Sequence, residues 1–400
     1  MSEPGLYGKN LFVAKRMVGF TFVVACLLLC PLLCSGQTGP LRLGVNLEVT
    51  GNMAWLGDPQ LKALQMLTED VNRQGGINGR KIELITYDNE SNVEKAVNNA
   101  KKLIQRDKVV AVYGPSTNAP CRSTQPIMQE AKLTSYSLSA SFDPNGKDSY
   151  WFAVLVSVYS NIEKFFDWYK AQGFTRIAQI CSTDSSGQTW FEDSNEIAKK
   201  YQMQLVSQRF SVSDLDVTPQ LTNLKSSNPQ AIMIGSTGKS AGVVIKNFMQ
   251  MGFKIPVCTG AGNVSPSFLD MIAGNEPETL LLPGSRFVVY QDLPEKDPFK
   301  SMIKKFVDDY QKKFNKEADL NAAVGYDAAR ILFEAFKGIN PRGPEDSTKI
   351  RDYIEKMRNF PGVYGANYNF SATDHRGLNK TALVLLQAKN KRFAPYEKLQ

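Results

Sequence analysis

Leu41 to Gln60 reads LRLGVNLEVTGNMAWLGDPQ, a helical run follows to Gln74, and Gly75 to Asp88 reads GGINGRKIELITYD. Leu41, Leu43, Val45 and Leu47 mark a buried strand. The strand leads into a Gly-bearing loop, Thr50 to Gly57, and then into a helix that Gly75-Gly76 stops. A second strand ends at Asp88, so the stretch is a βαβ opening. The same alternation continues. Strands are predicted at 109–113, 134–138, 176–180, 204–210, 231–235 and 255–259, and helices at 93–105, 120–131, 161–172, 190–201, 219–226 and 239–251. Strands alternating with amphipathic helices specify an α/β fold with parallel sheets covered on both faces. About ten strands exceed one comfortable sheet, so two doubly wound lobes are expected.

Ahead of the opening stand Lys9, Lys15 and Arg16, an apolar run from Met17 to Leu33, and the small residues Ser35 and Gly36. This is the pattern of a secretory signal over residues 1–36, cleaved near Gly36. The competing reading is an N-terminal membrane anchor, since the run is close to the shortest spanning length; Pro31 and the polar stretch from Ser35 to Gly39 favour cleavage. A lipid anchor on Cys34 or Cys30 would put Leu33 or Leu29 where a small residue is expected. The expected location is periplasmic or otherwise extracytoplasmic. Loss of the leader removes three basic residues and one acid, and the formal charge falls from +8 to +6. Acids and bases are interspersed, so nucleic acid is not indicated as a partner. Cys121, Cys181 and Cys258 remain, which leaves at least one thiol unpaired. His375 is the single histidine and there is no Cys/His cluster, so neither a metal nor another cofactor is implied.

From Leu41 to Asp88 and onward over essentially the whole exported chain, the wording resembles the type I periplasmic substrate-binding proteins, in the branched-chain amino-acid branch of ABC-transporter receptors. The resemblance implies two lobes joined by three hinge strands. Lobe 1 is then expected from 37–157 with 286–362, and lobe 2 from 158–285 with 363–400. Crossings fall near 149–160, 284–286 and 363–367. It also implies that a first-lobe disulfide common in relatives is missing, its positions being Ser91 and Thr117.

Ligands of open α/β sheets bind where strand ends lead into helix N-termini. In the frame of Gly51, Ala54 and Gly57, the resemblance puts an apolar or aromatic ligand contact on Leu56, beside Trp55. A Trp55 packed on its own lobe is the plain alternative. The loop from Gly114 to Ala119 is where the family holds a ligand carboxylate, its usual serine aligning with Asn118; an ordinary helix cap would read the same way. Ser139-Ala140-Ser141 match the family's next contact, through the backbone of Ser139 and the hydroxyl of Ser141. On the other lobe the expected lining is Ser186, Thr237, Gly262 and Asn263. Gly262 stands where amino-acid receptors carry a glutamate for the ammonium, and no acid lies between Lys254 and Asp270. That loss points to a carboxylate without an α-amine; an amino acid remains possible if an acid such as Asp184 turns in.

Three functions follow. The first is a receptor that delivers a small carboxylate-bearing ligand, an amino acid or an aromatic or aliphatic acid, to an ABC permease, working as a monomer. The second is a sensor of the same fold that signals to a membrane receptor. The third is an enzyme, against which stand the missing Gly-x-Ser-x-Gly elbow, metal spacing and histidine base; Cys121 and Cys181, near the cleft, are its only candidate nucleophiles. Tyr326-Asp327 reads as structural, Arg286 as a hinge ion pair, and His375 as a surface residue in a polar turn.

Overall fold

The computed structural model describes residues 39–396, with Met1 and Ser2; the rest of the expected leader, its cleavage point and Cys30 and Cys34 lie outside the described residues. Leu41–Leu47 form strand β1, buried throughout except at Arg42. A parallel strand covered on both faces reads as a near-continuous apolar run, which this segment supplies. Its one internal amide, Asn46, donates to the carbonyl of Ala96 at 2.9 Å. The chain continues through α1 (Ala54–Arg73), β2 (Ile82–Asp88), α2 (Val93–Gln105), β3 (Ala111–Tyr113), α3 (Asn118–Glu130), β4 (Ser135–Ser137) and β5 (Trp151–Ala153). These strands make one parallel sheet in the order β2-β1-β3-β4-β5.

A second set follows: α4 (Val158–Ala171), β6 (Arg176–Ser182), α5 (Ser185–Tyr201), β7 (Gln204–Phe210), α6 (Thr218–Ser226), β8 (Ala231–Gly235), α7 (Gly238–Gln250), β9 (Val257–Thr259), α8 (Pro266–Met271) and β10 (Leu280–Gly284). Helices α9 (Lys300–Phe314), α10 (Leu320–Ile339) and α11 (Ser347–Glu355) come next, then the hairpin β11 (Phe360–Pro361) and β12 (Asn367–Tyr368), then β13 (Val384–Lys389) and β14 (Arg392–Pro395). The second sheet runs β14-β13-β10-β9-β8-β6-β7. Its β7-β6-β8-β9-β10 portion is parallel and repeats the order of the first sheet; β13 and β14 extend it antiparallel. Helices α10 and α11 return to the first core, where Val324, Ala328, Leu332, Ile350 and Ile354 cluster with Leu41 and Leu43.

Several boundaries differ from the sequence expectation. Helix α1 already starts at Ala54, so Trp55 and Leu56 occupy its first turn and not a loop. Likewise α5 starts at Ser185 and includes Ser186. The third crossing, expected at 363–367, comes later. Gly362 to Ala366 turn back as the β11–β12 hairpin, and Tyr364, Tyr368, Phe370 and Leu378 all belong to the first core. His375, expected at the surface, is 2 % exposed and stacks on Phe152 with ring centroids 4.3 Å apart. Its ring nitrogens face the carbonyl of Trp151 at 2.8 Å and the Glu355 carboxylate at 3.1 Å. Only at Lys380 does the chain reach the second lobe, through Asp167 and the hydroxyl of Tyr201. Residues 363–378 therefore pack with lobe 1 and not with lobe 2.

The hairpin is pinned by Asp327, whose carboxylate is fully buried. It accepts from the N–H of Val363 at 2.8 Å, the N–H of Tyr364 at 2.9 Å and the hydroxyl of Tyr368 at 3.2 Å. Asp327→Ala leaves these buried donors unmet, and we expect a loss of about 3–5 kcal/mol in chemical denaturation. A second prediction concerns Asp193 on α5. Burial first, then the charges of Glu196 and Glu192, push its carboxyl up to about 6. A folded-state value above the unfolded one means that folding favours the neutral form. The contribution to stability is thus complete below about pH 4 and lost as pH rises through about 6. Asp193→Asn should raise the melting temperature near neutral pH and leave it unchanged in acid. With solvent screening of a half-exposed group, the gain is about 1 kcal/mol.

Candidate functional site

The chain leaves the first sheet at the carboxyl end of β5 and the second at the carboxyl end of β10, so the carboxyl ends of both parallel sheets face the junction. Within each sheet the order reverses once, between β1 and β3 and between β6 and β8. At such a reversal the connections diverge to opposite faces and leave a crevice lined by loops and helix N-termini. Sequence reasoning selected those same loops. Among the described residues, no hydrogen bond or ion pair joins the first-lobe loops to the second-lobe loops.

In the first lobe, Asp88 at the end of β2 fixes the loop after β1. It accepts from the N–H of Val49 at 3.0 Å and the hydroxyl of Thr50 at 2.6 Å. Burial acts to raise its carboxyl, but the hydrogen bonds from Thr50, Glu90 and Val49 outweigh it and hold it below the usual carboxylate range. Ser91 closes the same loop, donating to Thr50 O and accepting from Met53 N, both at 3.0 Å. Gly57 is required next: a Cβ there would lie 2.3 Å from the carbonyl of Glu48. Trp55 is 64 % exposed and makes no ring contact with its own lobe, so the plain reading of it as a packed residue fails. Leu56 beside it is half-buried.

Glu48, which sequence reasoning passed over, lies beneath the loop after β3 with none of its surface exposed. Its carboxylate accepts from Ser116 N at 2.9 Å and from the Thr117 hydroxyl at 2.7 Å. The signal was available: a charged residue directly after a strand buried on both faces. Helix α3 starts at Asn118, and the N–H groups of Asn118 and Ala119 have no protein acceptor. The side-chain Oδ1 of Asn118 is buried with no donor. After β4, the N–H of Ser139 donates to the Ser137 hydroxyl at 3.1 Å. The hydroxyls of Ser139 and the exposed Ser141 have no protein partner, and Ala140 between them is half-buried.

In the second lobe, Ser186 and Thr237 are exposed, and their hydroxyls have no protein partner. Gly262 is exposed, and a Cβ on it would meet Thr237 Cγ2 at 3.0 Å. Asn263 is different. It is 1 % exposed, donates to Ser236 O at 3.0 Å and Thr259 Oγ1 at 2.8 Å, and accepts from Gly238 N at 2.8 Å. Its amide holds the ends of β8 and β9 together, so it positions the wall and does not line it. Asp184 is also engaged: it caps α5 by accepting from Gly187 N at 2.9 Å, and it accepts from the Ser182 hydroxyl at 2.6 Å. Trp190, also passed over, fills the space beneath these loops; a Cβ on Gly235 or Gly260 would fall within 2.8 Å of it. That pair of strand-end glycines was its sequence trace.

The three cysteines among the described residues are free thiols, all buried. Burial raises all three well above the ordinary cysteine value: Cys181 and Cys258 are pushed up to about 12, and Cys121, where the charge of Glu48 adds to burial, further still. Among the described residues no group of His, Cys, Asp and Glu could hold a metal ion, and no helix is long and apolar enough to cross a membrane.

Two doubly wound lobes with facing carboxyl ends define a two-lobed α/β binding protein. Residues 40–392 match the family model described as periplasmic binding protein, and the chain belongs to that family. It is 21 % identical to a Leu/Ile/Val-binding protein homolog of Brucella melitensis, over 84 % of this chain and 87 % of that one. It is 22 % identical to the leucine-, isoleucine-, valine-, threonine- and alanine-binding protein of Pseudomonas aeruginosa, over 86 % and 87 %. An extracellular ligand-binding receptor from Rhodopseudomonas palustris shares the fold with a TM-score of 0.75 at 23 % identity, covering 89 % of this chain and 99 % of that one. The branched-chain amino acid transporter substrate binding protein LivJ of Streptococcus pneumoniae, in complex with isoleucine, does so with a TM-score of 0.70 at 22 % identity, over 88 % and 97 %. The family is one of binding receptors, and the chain is not an enzyme. Accordingly, iodoacetamide labelling read by peptide mapping should leave Cys121, Cys181 and Cys258 unmodified in the native protein and modify all three once it is unfolded.

Proposed function

We propose that this chain is the extracytoplasmic solute-binding component of an ABC importer, exported by its N-terminal leader, monomeric, and presented to a membrane permease. It takes a small carboxylate-bearing solute between its lobes, an amino acid or an aromatic or aliphatic organic acid. The observation that carries this reading is the pair of reversal points. Each presents hydroxyls or N–H groups that the protein itself does not use, and the two sets make no bond to each other. Polar groups left free on facing walls are satisfied when a small ligand bridges them and the hinge closes. Asn118 N–H, Ala119 N–H, Ser139 and Ser141 supply the first wall, and Ser186 and Thr237 the second. Gly262 gives room, and Trp55 and Leu56 offer an apolar surface beside the polar loop. The names of the relatives support the solute class, and Gly262 in place of an acid widens it beyond amino acids.

Trp55 gives a direct test. Of the four tryptophans, Trp151, Trp168 and Trp190 are at most 6 % exposed, so only Trp55 is open to a quencher. A solute that raises the melting temperature should also reduce acrylamide quenching, and the reduction should vanish in Trp55→Phe. A stabilising solute that leaves quenching of the wild type unchanged would place its site elsewhere. Replacing Asn118 and Ser141 together by Ala should weaken that solute at least about tenfold, a loss of about 1.4 kcal/mol.

A further inference from the structure

A cavity of about 310 Å³ is built from the segments that cross between the lobes, and no residue of the candidate site lines it. Its size is at the lower end of the range for small-molecule sites, about 300–1,000 Å³. Arg286 comes from the second crossing, Asn367 from the β11–β12 hairpin, and Asn379 and Thr381 from the turn around Lys380. Hydrogen bonds within the lining fix the walls. Asn369 Oδ1 accepts from Asn359 N at 2.9 Å, and its Nδ2 donates to Asn367 O at 3.3 Å. Asn379 Oδ1 accepts from the N–H of Thr381 at 2.9 Å and from its hydroxyl at 2.8 Å. Those bonds leave the whole side-chain amides of Asn359 and Asn367, and Nδ2 of Asn379, without a protein partner.

The lining selects by hydrogen bonding more than by charge. No carboxylate or lysine lines the cavity, and its one charged group, Arg286, lies 3.3 Å from Asp297 through Nε and donates to Gly365 O at 3.3 Å. An amide places a carbonyl acceptor beside two N–H donors. A ligand that satisfies several amides must donate and accept by turns, as hydroxyl groups do; an anion offers only acceptors and a cation only donors. Behind the amides, Ala366, Leu378 and Ala382 are buried and apolar. A sugar ring presents the same two features, hydroxyls at its rim and C–H groups on its faces.

The position adds a consequence. Lys380, between Asn379 and Thr381, is where the chain reaches the second lobe, its ammonium 2.9 Å from Asp167 Oδ2 and 2.9 Å from the Tyr201 hydroxyl. A molecule held by the residues on either side of Lys380 restrains that turn.

We propose that this cavity is a second ligand site, for a small uncharged polyhydroxylated molecule, a monosaccharide or polyol, whose binding restrains the third crossing. The inference is independent of the solute-binding reading, since the two sites share no residue.

The test is hydrogen exchange read by mass spectrometry, with glucose, N-acetylglucosamine, mannitol and myo-inositol as neutral probes and phosphate and citrate as anionic ones. At least one neutral probe should slow exchange in peptides covering 359–369 and 377–383 about threefold, as occupancy at twice its Kd gives, and leave the loops at 50–57 and 114–119 unchanged. Replacing Asn359 and Asn367 together by Ala removes only amides that no protein group uses, and the protection should vanish. Three results overturn the proposal: protection that persists in the double variant, stronger protection by phosphate or citrate, or nothing beyond the even slowing that an excluded sugar gives any protein. Each leaves the receptor reading standing, because the loops of the candidate site are followed in separate peptides. Should the double variant fail to fold, Asn367→Ala alone decides: protection at least halved supports the site, and protection unchanged overturns it.

Discussion

A parallel strand buried on both faces admits few polar side chains between its ends, and this constraint organises the molecule. Strands β1, β3 and β4 in one sheet and β6, β8 and β9 in the other are buried almost without a break. Their hydrogen-bonding demand is met within the sheets, so the polar residues of the connections gather at the edges. Both sheets then reverse order at the same point of the same five-strand pattern. The reversal splits neighbouring loops apart, and the gap exposes helix N-termini that still need partners. Each sheet thus arrives at such a reversal from backbone topology alone, before any choice of side chain.

A small set of polar ties within the first lobe holds the segments by which the chain leaves it and comes back. Arg376 donates to the carbonyls of Leu155, at 2.6 Å, and Phe142. Ala153 N–H donates to His375 O at 3.0 Å, which binds the outgoing strand to the returning one. Arg286 pairs with Asp297 at 3.3 Å and donates to Gly365 O, also at 3.3 Å, tying the second crossing to the β11–β12 hairpin. Buried ties of this kind resist rearrangement, because breaking one leaves a desolvated group unmet. The segments after Leu155, after Gly284 and around Lys380 lie beyond these ties.

The sequence made the alternation of elements legible because its signal is periodic and strong. Strands 204–210 and 231–235 and helix 93–105 form where the apolar pattern puts them. The third crossing was misplaced because Pro361, Gly362 and Gly365 are the residues of an exit and of a hairpin alike. What decides between them is Asp327, a residue far off in sequence that captures the turn. His375 was misjudged for the same reason, since its burial depends on Phe152 and Glu355 from other elements. At the site, the loops were legible and the state of their groups was not. Ser141, Asn118, Ser186 and Thr237 have polar groups without a protein partner, while Asn263 and Asp184, chemically just as suitable, are engaged. Nothing in the letters separates the two groups; only the count of hydrogen bonds does.

That count changes how the missing acid at Gly262 should be read. Taken alone, the loss of an acidic side chain makes a cleft less negative. A cleft has two walls, however, and the field at its centre is the sum over both. Glu48 is fully buried and close enough to add to the raised value of the Cys121 thiol on the first turn of α3. Glu48 therefore enters any reading of charge beside the loop after β3, just as the acid missing at Gly262 enters any reading of the loop after β9.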